Sequence, residues 1–341
     1  MDPRRGTRWW TRCAGGVALL ALACASGPPP DPRGEVRAFL DANRGRYVAA
    51  VGQARIWLDA LEVDPFALRA RGMPGKKRLV EALDAYVLLR EVTPDADRPA
   101  LLRRAREVAA ITYEPRYHDM LEIDGKSFKQ DATSYLRAAY LMEKLGLDTA
   151  GYREEIRKSE ARLGNHMLQR GPNQRLTFKK YYEHFGLEEP FPLEGALDAG
   201  HVRQRRPIES FRNVLDVYNL THEVFIVYEF GERLDADFFT AEDLAYLRPT
   251  LVRLSETAIE DNDPDLTAEL VVCMRYLRFV DLPEYQRAIA FLLDAQHPDG
   301  KWGNWEAMRE RYGDMLDVGL YLHTTMVSVM ALNAAFHLPL P

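Results

Sequence analysis

Four polar side chains interrupt stretches that are otherwise apolar, and their types suit either a metal ion or an acid–base pair. His222 and Glu223 stand at the head of "THEVFIVYEF", Glu269 lies in "DLTAELVVCMRY", and His323 begins the apolar run of "YLHTTMVSVMAL". Asp265 starts the second of these segments, and "YEPRYHDM" adds His118 beside Asp119. Two neutral imidazoles and a carboxylate make a ligand set for a divalent metal, here His222, Glu223 and His323. The same groups can take up and release a proton in general acid–base work. A second reading needs no ligand at all. Asn219 and Asp265 then serve as helix caps, the glutamates sit at favourable helix starts, and the histidines bond buried carbonyls.

Positioning such groups is the work of helices. From about residue 34 onward, apolar residues recur at three- and four-residue spacing, as in "VRAFLDANRGRYVAAVGQARIWLDAL", "KKRLVEALDAYVLLREV" and "SFKQDATSYLRAAYLMEKLGL". Period-two alternation bounded by hairpin turns is absent, so the spacing predicts an all-α chain. The helices are of two kinds. "YREEIRKSEARL" and "EDLAYLRPTLVRLSETAI" have one charged face and one apolar face, whereas "VFIVYEF", "ELVVCM" and "TTMVSVMALNAA" are apolar nearly all round and require burial on every side. "RGPNQRLTFKKYY" and "HVRQRRPIE" are basic and turn-rich, and read as solvated loops between helical hairpins.

The helices repeat. Thr221 and Thr267 lie 46 residues apart with Leu and Glu in matching places around them, and Thr177 and Thr133 continue backward in steps of 44. His323 falls over His222 in the forward direction. A unit of about 45 residues is one helical hairpin, and about five or six of them can close into a double ring of inner and outer helices, an α/α toroid. Equivalent starts of inner helices in such a ring share depth and direction. His222, Glu223, Glu269 and His323 are therefore expected at one mouth of a central cavity, with Asp265 and His118 beside them.

One stretch, "FLLDAQHPDGKWGNW" at 291–305, carries a more specific pattern. Arg287, Phe291, Gln296, Gly300 and Trp302 resemble the repeat motif of squalene and oxidosqualene cyclases. The later "YLHTTMVSVMAL" is similar to an inner helix of those enzymes and of protein prenyltransferase β subunits. The resemblance implies the α/α-toroid fold, with the glutamine and tryptophan clamping one hairpin to the next. It does not bring the chemistry with it. No D-x-D-D acid motif is present, and "EDNDPD" at 260–265 reads as a helix start, with Asp263 as cap and Pro264 in the first turn. Asp265 and His323 match two zinc ligands of the prenyltransferases loosely, but the place of the thiolate ligand holds Thr267.

The amino terminus assigns a compartment. Arg4, Arg5, Arg8 and Arg12 precede "GGVALLALA", an apolar run too short for a lasting span, and Ala23 then precedes Cys24. "LALAC" resembles the lipobox of bacterial lipoproteins, which implies removal of residues 1–23, acylation of Cys24 and a lipidated tether over 24–33 ahead of one domain at 34–341. Removing 1–23 takes away four arginines and one aspartate, moving the formal net charge from −6 to −9. Only Cys273 of the three cysteines then remains unmodified, so a packed core and no disulfide must hold the body together. The chain has no strong basic patch, which argues against nucleic acid as a partner.

Together these features lead to a lipoprotein of the cell envelope, anchored in a membrane and facing the periplasm or exterior. Its cavity would bind a small apolar or glycan ligand or a partner. The alternative is an enzyme of lyase, hydrolase or cyclase-like type acting on an apolar or polysaccharide substrate, with or without a divalent metal. Cys24→Ser is expected to leave an unprocessed precursor or to release the body from the membrane fraction. A variant that fractionates and migrates like the wild type would rule out the anchor.

Overall fold

The computed structural model describes residues 31–189, 193–211, 213–235 and 237–340. The signal, Cys24 and most of the tether lie outside the described residues. The chain opens with α1 (Pro32–Ala60), α2 (Pro65–Ala70), α3 (Gly75–Val92) and α4 (Arg98–Ala109). Two short 3₁₀ turns lead to α5 (Gly125–Lys144), α6 (Ala150–Lys158), α7 (Glu160–Leu168), α8 (Pro172–Phe185) and α9 (Leu193–Asp198). The second half holds α10 (Val214–Val227), α11 (Ala241–Glu260), α12 (Pro264–Tyr276), α13 (Pro283–Asp294), α14 (Arg309–Tyr312) and α15 (Leu322–His337). No strand occurs among the described residues, and the chain is all-α.

One two-residue device starts several helices. Asp31-Pro32, Asp64-Pro65 and Asp263-Pro264 each place an aspartate in extended backbone as the cap, its carboxylate accepting N–H groups of the first turn, and a proline at the first helical position. The first of these begins α1 at Pro32, so the expected tether boundary at residue 33 falls inside the helix. Thr240 and Asp243 form a reciprocal capping box at α11.

Two stretches differ from their sequence-based expectation. "YREEIRKSEARLGNHML" divides at Ser159 into α6 and α7. "RGPNQRLTFKKYY" is not a loop but most of α8. Pro172 starts it after Gly171, Phe178, Tyr181 and Tyr182 fall on one face at helical spacing, and Leu176 and Lys180 are buried on the other side. The basic residues concealed that face. "HVRQRRPIE" does remain in turns.

Six helices make a continuous packed series: α3, α5, α8, α10, α12 and α15. Every residue of α12 is buried, as are nearly all of α15. Residues 317–337 are long and apolar enough to cross a membrane, yet 89% of that apolar window is covered by the fold itself, which makes it a core helix. The six pack in sequence order, α3 on α5, α5 on α8, α8 on α10, α10 on α12 and α12 on α15, and α15 returns to α3. The more polar helices lie outside them: α1 on α15 and α13, α4 on α3, α6 on α5, α7 and α9 on α8, α11 and α13 on α12.

The turn after α13 fastens these layers. Trp302 is fully buried, and its indole N–H donates to the Leu292 carbonyl of α13 at 2.7 Å. Its backbone N–H donates to Thr325 Oγ1 of α15 at 3.0 Å. The Gln296 amide donates to the carbonyls of Ala50 in α1 and Gly300, both at 2.8 Å. Gly300 has φ +100°, and a Cβ there would stand 2.3 Å from the Gln53 carbonyl oxygen, so only glycine lets the turn approach α1 this closely. Phe291 packs against the core, while Arg287 is exposed and only near Glu256 and Glu284. Trp302→Ala should lower unfolding free energy by about 3–5 kcal/mol through the cavity left behind. Gln296→Ala should cost about 1–3 kcal/mol through unpaired carbonyls. Denaturant titration of the two variants checks both values, and wild-type midpoints would show that the turn clamps nothing.

Candidate functional site

Asp265, Glu269, His222 and His323 come together near the N-terminal ends of α10, α12 and α15, where α3 also contributes Glu81. Asp265 accepts a hydrogen bond from the Tyr218 hydroxyl at 2.6 Å and another from Thr324 Oγ1 at 2.8 Å. Trp305 Nε1 donates in turn to Thr324 at 3.1 Å. His323 lies between two acids, with Nδ1 2.9 Å from Glu81 Oε1 and Nε2 3.9 Å from Asp265 Oδ1. Burial opposes ionisation of Glu81, but Arg78, Lys77 and His323 hold its carboxyl well below the usual range.

Glu269 is the opposite case. It is fully buried, and desolvation, aided by the charges of Asp265 and Asp263, pushes its carboxyl well above the ordinary value. The hydrogen-bond geometry agrees. Thr221 Oγ1 lies 2.5 Å from Glu269 Oε2 and 3.1 Å from the Tyr218 carbonyl, and one hydroxyl proton cannot serve both. A protonated carboxyl would satisfy both contacts, donating to Thr221 while Thr221 donates to the carbonyl. His222 stands 3.8 Å from the same carboxyl with Nδ1 on the Tyr218 carbonyl, and burial pushes its imidazole down to about 4. Burial thus disfavours the charged form of both groups.

The other expected members go elsewhere. Glu223 accepts the backbone N–H groups of His201 and Val202 at 2.8 and 3.0 Å, and His201 bridges it to Asp216 with 3.3 Å on each side. The repeat explains the divergence. Glu269 on α12 faces the preceding buried helix, α10, and its equivalent Glu223 on α10 likewise faces the preceding segment, so the two point backward along the chain and not toward each other. His118 pairs with Glu155 of α6 at 3.0 Å, while Asp119 accepts from the buried Lys76. The expected metal set of His222, Glu223 and His323 does not assemble, and no group of three His, Cys, Asp or Glu side chains among the described residues is placed to hold a metal. Cys273 is a buried thiol whose Sγ approaches the Thr221 carbonyl, in keeping with a structural role.

A cleft lies at the other end of the same helices. It encloses about 190 Å³ and is walled by the C-terminal halves of α3, α5, α8, α12 and α15 and by the turn after α10. None of the six expected site residues lines it. Near the acidic cluster there is only a crevice between Asp265, Trp305 and Thr324. The cleft is aliphatic and aromatic with a polar strip. On that strip Glu232 accepts from the Tyr140 hydroxyl at 2.6 Å and lies 3.1 Å from Lys144 and 3.2 Å from Lys180. Arg137 pairs with Asp84 on the adjoining wall. Burial pulls Lys180 below the ordinary lysine value against the attraction of Glu232. Lys180 has no distinct sequence signal, because the basic, turn-rich stretch that holds it reads as a solvated loop. The aromatic spacing at 178, 181 and 185 is the signal for its helix.

The class these features define is an all-α protein with an open cleft on one end of its buried helices. The chain belongs to the family described as a domain of unknown function, DUF6895, whose family model matches residues 49–333. No curated protein and no solved structure matches it.

The Glu269 geometry has a measurable consequence. An acid with a raised folded pKa costs stability above its unfolded value, and the cost grows as pH rises toward the folded value. Glu269→Gln should therefore raise the melting temperature at neutral pH, by about 1–2 °C for each kcal/mol gained at an unfolding entropy of roughly 2 cal/mol/K per residue. The gain should shrink to nothing as pH falls to the ordinary glutamate value. A variant that is less stable at neutral pH would mean that the carboxylate is ionised in place.

Proposed function

We propose that this protein is an envelope lipoprotein of α/α-toroid architecture that binds a small apolar molecule in the cleft at the C-terminal ends of its inner helices. The observation that carries the reading is the cleft itself, with walls from five buried helices and the turn after the sixth. Concave, mainly apolar sites with a few placed polar groups are the usual form of small-molecule sites. The toroid is supported by the order of packing, in which each buried helix touches the next and α15 returns to α3, and by the cyclase-like turn at 291–302. Lipidation at Cys24 and an envelope location rest on the amino-terminal sequence alone.

Apolar ligands are favoured over glycans because Val87, Leu88, Leu141, Met330 and Leu338 face the opening. An enzyme reading draws on one feature, Glu269 beside His222, a carboxyl and an imidazole 3.8 Å apart whose charged forms burial disfavours. Glu269 is fully buried, however, and the cleft does not reach it.

The neutral fluorophore N-phenyl-1-naphthylamine tests the cleft. Saturable one-site binding is expected with the wild type, and Leu88→Trp, which fills the opening, should weaken it about tenfold or more. Unsaturable partitioning, or equal binding by a folded Leu88→Trp variant, would overturn the reading.

A further inference from the structure

The segment after α10 is folded in an unusual way for the sake of one side chain. Glu229, Phe230 and Gly231 take φ values of 51°, 57° and 101°, a run of left-handed residues of which only the last is glycine. Strain of this kind persists where surrounding contacts hold it, and it concentrates at ligand sites. Lys180 Nζ donates to the Glu229 carbonyl at 3.2 Å, and a Cβ on Gly231 would stand 2.7 Å from the Tyr276 hydroxyl, so the turn is pressed into the cleft wall. The result is that Glu232 is turned back into the cleft.

What meets it there is a set of donors larger than one protein carboxylate needs. Glu232 takes two contacts from the Tyr140 hydroxyl, at 2.6 and 2.8 Å, and one each from Lys144 and Lys180. The Lys180 side chain is 9% exposed and that of Glu232 is 42% exposed. A buried ammonium without a counter-charge is strongly unfavourable, so Lys180 requires an anion at this point. The more solvent-exposed partner is the one that can leave. Without Glu232, Lys180 is left with the more distant charge of Glu229 and Lys144 with that of Glu91, Arg137 is taken by Asp84, and burial pulls the His337 imidazole of α15 down.

We propose that Lys144, Lys180 and the Tyr140 hydroxyl form a carboxylate subsite, which Glu232 fills in the free protein and yields to the carboxylate of an elongated apolar ligand. The ligand's apolar body then lies along Leu88, Leu141 and Met330. Charge-assisted bonds from two ammonium groups and a phenol suit a monocarboxylate, and release of the strained turn favours the exchange. The inference rests on the cleft-binding reading and adds the headgroup chemistry to it.

Three twelve-carbon probes, dodecanoate, dodecanol and dodecyltrimethylammonium, test it by calorimetry at a pH where the acid is ionised. Dodecanoate should bind the wild type about tenfold tighter than dodecanol. Glu232→Gln should tighten dodecanoate about tenfold and leave dodecanol unchanged, because the competing charge is gone. Lys144→Met, at a partly exposed position, should erase the preference for the acid. Equal binding of the acid and the alcohol by wild type and Glu232→Gln overturns the subsite and leaves the cleft reading intact. Tight binding of the ammonium probe that Glu232→Gln abolishes overturns it too, since Glu232 would then be the recognition group for a cation. If none of the probes binds, the cleft reading fails with it.

Discussion

The fold depends on contacts between its first long helix and its last, made across almost the whole chain. Tyr47 of α1 donates its hydroxyl to the Asn333 side chain of α15 at 2.9 Å and stacks on Phe336 with ring centroids 4.5 Å apart. The Gln296 amide reaches the Ala50 carbonyl one turn further along α1. These contacts answer a requirement set by α15. A helix that is apolar all round loses stabilisation on any face left to water, and α15 is covered only when α1, α3, α12 and α13 surround it together. The chain must therefore return to its own beginning before its last helix has a place. Long-range closure of this kind is entropically unfavourable until the final contacts form. The buried Trp302 and the close approach at Gly300 supply the packing at that final joint.

The two ends of the buried helices have been given opposite electrostatic treatment. At the N-terminal end, acids are packed near helix starts. Charge is disfavoured at Glu269 by burial, matched at Glu81 by Arg78 and Lys77, and shared at Asp265 among hydroxyl donors. Those solutions suit a closed, dry place. At the C-terminal end the helix carbonyls and the negative ends of the helix dipoles face the cleft, which favours cations there. Lys144 and Lys180 occupy that position, and their presence in turn draws in Glu232. The polar strip of the cleft follows from the direction in which the helices run.

Several elements were legible in the residues alone. The all-α class follows from three- and four-residue spacing, and the burial of α10, α12 and α15 follows from their apolar composition. The clamp residues Gln296, Gly300 and Trp302 were legible because each does something only its own side chain can do: pair two carbonyls, take a positive φ, or fill a large hole while donating one N–H. Helix α8 was not legible as a buried element, since lysines and arginines outnumbered the signal of its aromatic face. Its Lys180 is buried with a partner from a distant turn, and a side chain's charge does not announce whether a counter-charge will arrive.

What the sequence by itself determined is local: where helices start, because Asp-Pro caps act within one turn, and which faces must be covered, because hydrophobicity is a property of each residue. What only the tertiary structure decided is direction. Glu223 and Glu269 hold equivalent places in the sequence spacing, yet one accepts from a loop and the other meets Thr221 and His222, because each faces the segment before it and those segments differ. The cleft, likewise, exists where the ends of five helices and the turn after α10 fail to meet, and its charges come from α3, α5, α8 and that turn. A site assembled from helix ends is a sum of distances between segments far apart in the chain. Repeat spacing specifies the depth of a residue along its own helix, and packing alone specifies which neighbour it meets.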